Sequence, residues 1–165
     1  MKVNEAREVV KAAVLDVVHL FDGKGFEISA STYYCDKNLN QITEFDQKVI
    51  LLFGSIKIGL ADMESDEYCT YALCCEVKAA MVDDEELTKE IENFKRDVQE
   101  LIDKLMSAPS KKQMLLDINA SQEREAEKSF EEFNAQMRKM KLKLYCALGV
   151  LAIIAAGILI FSLVV

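Results

Sequence analysis

Residues 145–165, YCALGVLAIIAAGILIFSLVV, contain no charge and no proline over twenty-one positions. As a helix rising about 1.5 Å per residue, the run would be roughly 31 Å long, close to the hydrocarbon thickness of a bilayer. The pattern predicts a single C-terminal transmembrane helix, with Tyr145, Leu148, Leu151, Ile154, Ile158, Phe161 and Val165 as anchor residues. Gly149, Ala152 and Ala156 share one face, where two spans could approach closely. True G-x-x-x-G spacing is absent, so a plain anchor is the simpler alternative.

Charge predicts the orientation. Arg138, Lys139, Lys141 and Lys143 place four positive charges just before the run, and basic flanks stay on the cytoplasmic side. The preceding 144 residues are therefore expected in the cytoplasm, with the basic collar at the lipid headgroups, where each cation contributes on the order of 1 kcal/mol. Membrane lipid is one expected partner. The N-terminus does not read as a signal peptide, because Glu5, Arg7, Glu8, Lys11 and Asp16 interrupt any apolar stretch.

The five cysteines, Cys35, Cys69, Cys74, Cys75 and Cys146, are an odd set without the spacing of a disulfide framework. Free thiols in a reducing compartment are expected. Cys146 would lie at the lipid interface beside basic residues, where a thiol can be S-acylated; an unmodified cysteine is the alternative. The net charge of −8 makes nucleic acid an unexpected partner.

The fold class predicted is α+β. Val3, Ala6, Val10, Ala13, Val14, Val17 and Phe21 recur at helical spacing, and Asp22-Gly23-Lys24-Gly25 supplies the stop. Phe26, Ile28, Ala30, Thr32 and Tyr34 alternate with Glu27, Ser29, Ser31 and Tyr33, the period-two pattern of a half-buried strand ending near Asp36-Lys37-Asn38. Between 40 and 53 the pattern fits helix or strand; strand is favoured from about Lys48 to Ala61. A polar turn over Asp62 to Asp66 and a return strand from Tyr68 to Val77 complete a hairpin, 56–77, in a small antiparallel sheet. Asp83 with Glu86 makes a capping box for a covering helix, 84–106, whose apolar face is Leu87, Ile91, Phe94, Val98, Leu101 and Leu105.

Ser107-Ala108-Pro109-Ser110 breaks that helix. The expected organisation is a cytoplasmic domain over 1–107, a hinge over 108–110, a helical stalk over 111–144 and the anchor over 145–165. In the stalk, Ala126, Phe130, Phe133, Met137, Met140 and Leu144 are spaced four, three, four, three and four, a heptad seam that ends backward at Glu123 and Asn119. Such a stripe packs on its own domain or along the bilayer, joins two chains as a homo-oligomer, or is offered to a protein partner. Seams this short are marginal in isolation, and confinement to a membrane raises their effective concentration.

A heptad stretch entering a terminal anchor resembles the membrane-proximal end of SNARE proteins over residues 126–165, although those carry a longer run of layers than Glu123 and Asn119 permit here. The hairpin Ile56 to Val77 followed by the helix Asp84 to Leu105 resembles the type III secretion chaperone-like α+β fold. That resemblance is one of pattern and carries no functional residues across.

Chemistry finds little support. His19 is the only histidine; Asp16 and Asp22 lie three residues to either side, which suggests acid–base or metal work, but with Val18 and Leu20 flanking it in an apolar helix a surface or partly buried histidine is the better account. On a strand Cys74 and Cys75 point to opposite faces and cannot jointly hold one ion, while Cys75 shares a face with Cys69, Tyr71 and Leu73. Gly23-Lys24-Gly25 lacks the spacing of a phosphate loop. The run Asp83 to Glu86 begins a helix, where acidic residues complement the helix dipole, rather than forming a calcium loop. No cofactor, metal or catalytic set is expected. The chain reads as a membrane-tethered adaptor, with a membrane-assembly protein acting through stalk and span, and an enzyme of unknown reaction, as alternatives.

Overall fold

The structure is a computed structural model that describes residues 1–46, 48–62 and 67–164, the side chains of 141–164 excepted. It is α+β: a four-stranded antiparallel sheet and three helices, in the order α1 (Val3–His19), β1 (Glu27–Asp36), β2 (Gln41–Ile42), β3 (Val49–Gly59), β4 (Cys69–Glu76), α2 (Asp84–Ser107) and α3 (Lys111–Val164). The sheet order is β2-β1-β3-β4. Contacts divide the chain into two compact units, Met1–Ala120 and Ser121–Val165.

In the first unit, one sheet face is covered by both α1 and α2. Alternation along the strands assigns Tyr34, Leu52 and Cys75 to one cross-strand row and Ile28, Ile58 and Cys69 to another. The helix-facing members Tyr34, Leu52, Ile56, Ile58, Cys69 and Leu73 are buried. Against them α1 sets Val3, Ala6, Val10, Ala13, Val14 and Val17, all buried, as its helical spacing predicts. Gly54 lies where α1 crosses β3: a Cβ there would come 2.6 Å from both Val10 Cγ1 and Val14 Cγ2. The close approach therefore requires glycine.

The stretch between 40 and 53, which fits helix or strand by pattern, holds no helix among its described residues: β2 takes only Gln41–Ile42, with Ile42 opposite Tyr34, residues 43–46 are irregular, and β3 starts at Val49. The hairpin of β3 and β4 pairs Leu51 with Glu76 through to Ile58 with Cys69. Of its turn, residues 63–66 lie outside the described residues. The Asp83 carboxylate accepts the Glu85 and Glu86 N–H groups at 3.0 and 2.9 Å and caps α2. α2 buries Leu87, Phe94, Val98, Leu101, Ile102 and Leu105 against β4 and α1. Lys95 of α2 and Asp16 of α1 join at 2.8 Å across the helix pair.

Beyond the break at Ser107–Ser110, the first turns of α3 pack with the domain. Leu115 is fully buried in the core, with Met114 and Ile118 against it. Lys111 Nζ donates to the Lys24 carbonyl at 2.7 Å and sits 5.0 Å from the centre of the Phe26 ring. The compact unit thus extends to Ala120 rather than stopping at the boundary expected at 107. The physical reason is that Met114, Leu115 and Ile118 supply apolar surface to the same core. Among the described residues, no helix is long and apolar enough to cross a membrane. The span expected at 145–165 lies outside the residues whose side chains are described; its backbone is helical to Val164.

Candidate functional site

The residues of the expected stalk stripe lie on α3. A helix brings positions four and three apart onto one side, so Ala126, Phe130, Phe133, Met137 and Met140 form a continuous seam. Phe130 is 66% exposed, Phe133 58% and Met140 57%, whereas Met137 is half-buried. Large apolar side chains in a row at this exposure mark a surface that gains from a partner. The seam's last member, Leu144, falls among the residues whose side chains are not described, together with Lys141, Lys143, Cys146 and the anchor residues Tyr145, Leu148, Leu151, Ile154, Ile158, Phe161 and Val165. Arg138 and Lys139 lie on the exposed helix surface and enter none of the ion pairs among the described residues.

The residues tested for chemistry are dispersed. His19 Nδ1 is 3.2 Å from Asp22 Oδ2, both side chains largely exposed, while Asp16 is turned to Lys95. The three residues do not converge. The hydrogen bond from Lys95, reinforced by its positive charge, holds the Asp16 carboxyl below its ordinary pKa. Cys69 and Cys75 face the core, and burial pushes each thiol up to about 11; burial also raises Cys35 and Cys74. Thiols held in the neutral form are poor nucleophiles and poor metal ligands. Among the described residues, no group of three or more His, Cys, Asp or Glu side chains is placed to hold a metal ion.

One feature was not evident from residue spacing. Between α1 and β1 runs an open groove of about 360 Å³ lined by Arg7, Lys11, Leu15, Ala30, Ser31 and Thr32, with Glu8 and Val14 completing it. It exists because β2 is only two residues long and pairs with Tyr34 and Cys35 alone, leaving Glu27 to Tyr33 as the sheet's edge. The available signal was the pair of cations one turn apart, Arg7 and Lys11, on the polar side of α1. A second cavity of about 250 Å³ lies at the other edge, between β4 and the start of α2, walled by Cys74, Glu76, Glu86 and Glu90.

No protein-family model, no curated protein and no solved structure matches the chain.

Proposed function

We propose that the chain is a membrane-tethered, non-enzymatic adaptor that presents the α+β domain at a cytoplasmic membrane surface to protein partners. The observation that carries this reading is α3. Its first turns are rooted in the domain core through Leu115, it continues unbroken to Val164, and the sequence over 145–165 is an uncharged run of bilayer length. The collar Arg138, Lys139, Lys141 and Lys143 supports a cytoplasmic placement of the domain. The hairpin-then-helix order, which resembles the type III secretion chaperone-like arrangement, is in keeping with a binding role. The test is sedimentation of the full chain from lysed cells after alkaline carbonate washing. A chain retained in the pellet, and released when residues 145–165 are deleted, is the expected result; an intact chain in the supernatant would sink the proposal.

The bare seam of α3 favours a second reading, membrane assembly through stalk and span, by homo-oligomerisation or by pairing with another membrane's proteins as SNARE proteins do. Disulfide crosslinking of a Phe133→Cys chain in membranes separates the two. Efficient chain-to-chain crosslinks at this position would favour assembly of copies, and a strictly monomeric chain would count against it.

A further inference from the structure

We propose that the free edge of β1 is a peptide-binding site, which takes an extended acidic segment of a partner protein as an added strand beside the Arg7–Lys11 wall of α1. The inference deepens the adaptor reading by naming its partner class, and it rests on that reading only for the claim that binding is what the domain does.

The hydrogen-bonding direction along β1 follows from its one short neighbour. Asp36 N–H donates to the Asn40 carbonyl at 3.1 Å, on the β2 side, and Tyr34 pairs with Ile42 in the same register. Backbone groups alternate sides along a strand, so those of Thr32, Ala30 and Ile28 point the same way. Beyond Tyr34, no strand among the described residues meets them. The intervening residues Tyr33, Ser31 and Ser29 face β3, opposite Phe53, Ser55 and Lys57. Ile28, Ala30 and Thr32 thus present a row of open donors and acceptors at the spacing an extended peptide requires.

Edges of this kind are usually blocked by lysine, proline or a bulge. From Glu27 to Tyr33 the strand reads EISASTY, with no lysine or proline, and its register irregularity lies further on, between Cys35 and Asp36. The edge is also furnished with a groove. An added strand would lie along β1 with its helix-side chains directed into the space beside α1, where Leu15, 47% exposed, supplies apolar surface.

Charge selects the occupant. Arg7 and Lys11 line this groove, and neither enters an ion pair among the described residues. The Arg7 guanidinium lies 4.9 Å from the centre of the Tyr34 ring, which fixes its position while leaving its N–H donors for a carboxylate. Glu8 shares the wall and offsets one of the two cations, so the local balance is one positive charge in a chain of net −8. A second copy docked by the same edge would place Arg7 and Lys11 of both chains in one groove. An acidic peptide has no such conflict.

The experiment uses the full chain in detergent micelles and two fluorescein-labelled, end-blocked octapeptides, one alternating valine with glutamate and the other valine with lysine. Fluorescence anisotropy is expected to show saturable binding of the glutamate peptide, at least ~10-fold tighter than the lysine peptide and weakened by salt. Lys11→Glu should erase that preference. Ala30→Pro, which removes an outward N–H at an edge position that tolerates proline, should abolish binding. Protection of the Ile28, Ala30 and Thr32 amides from hydrogen exchange in the unmodified chain on adding peptide decides the matter if Ala30→Pro fails to fold. No binding of either peptide, equal binding of both, binding that survives Ala30→Pro in a folded chain, or an Ala30→Pro-sensitive dimer formed without peptide would each overturn the proposal. Sedimentation reports on the tether and this titration on the edge, so failure of one is distinguishable from failure of the other.

Discussion

Ala79 and Ala80 have φ angles of 48° and 60°. They are the central residues of a two-residue turn closed by Lys78 and Met81, whose backbones exchange hydrogen bonds of 3.2 and 2.9 Å. Left-handed backbone costs a residue with a Cβ roughly 1–2 kcal/mol, and turns of this type ordinarily use Asn-Gly. Changing Ala79→Asn together with Ala80→Gly should raise unfolding stability by about 1–2 kcal/mol, visible as a higher urea midpoint at unchanged slope. Nothing in Val77-Lys78-Ala79-Ala80 signals a turn, which is why sequence reasoning passed over it. The thiols behave in the opposite sense. With Cys69 and Cys75 raised from 9.0 to about 11, the fold favours their neutral form. Their contribution is fully present below the unfolded value and is lost as pH rises from about 9 through 11. At pH 8 a thiol of pKa near 11 is only about 0.1% ionised. Iodoacetamide should therefore leave both unmodified in the folded chain and label both in urea, as read by peptide mass spectrometry.

At the scale of elements, α1, β1, the β3–β4 hairpin and α2 were legible from their periodicity, whereas β2, two residues long, has no period to read and residues 40–53 fit helix or strand alike. The six buried apolar positions of α1, the alternation of β1 and the stripe of α2 each have a period that only one secondary structure satisfies. Three further features were not legible, and all arise from packing between distant segments. Gly54 falls in the middle of β3, where sequence alone suggests only a weak point in a strand. Its role emerges when Val10 and Val14 are found above it. Gly54→Ala should destabilise by about 1–3 kcal/mol through overpacking, measured by thermal or urea unfolding. Leu115 was likewise hidden, since the break at Pro109 and the run of charged residues beyond Ile118 made residues 111–144 read as one stalk despite the apolar Met114-Leu115-Leu116. Fully buried as it is, Leu115→Ala should cost about 2–5 kcal/mol. A chain cut after Ser110 should unfold more easily than one cut after Ala120 by a similar margin. The candidate groove was invisible for the same reason: only tertiary placement puts Arg7 and Lys11 of α1 beside Ala30 and Thr32 of β1.

For the whole molecule, the division at Ala120 separates what stabilises the domain from what α3 exposes. Phe130 and Phe133 belong to the second unit and are bare. The double change Phe130→Asp and Phe133→Asp should therefore shift the domain's unfolding free energy by no more than about 0.5 kcal/mol, checked by urea unfolding monitored at the Met1–Ala120 unit. An equal change at Phe94, 5% exposed in the core, should unfold it. Because β2 is only two residues long, the Glu27–Tyr33 side of β1 is unblocked, and an unblocked strand can template the growth of further strands from identical chains. Arg7 and Lys11 beside it would meet their own copies in such a stack, so the like charges that admit an acidic guest also hold identical chains apart. Concentrated salt, by screening them, should bring on self-association that dilute salt prevents.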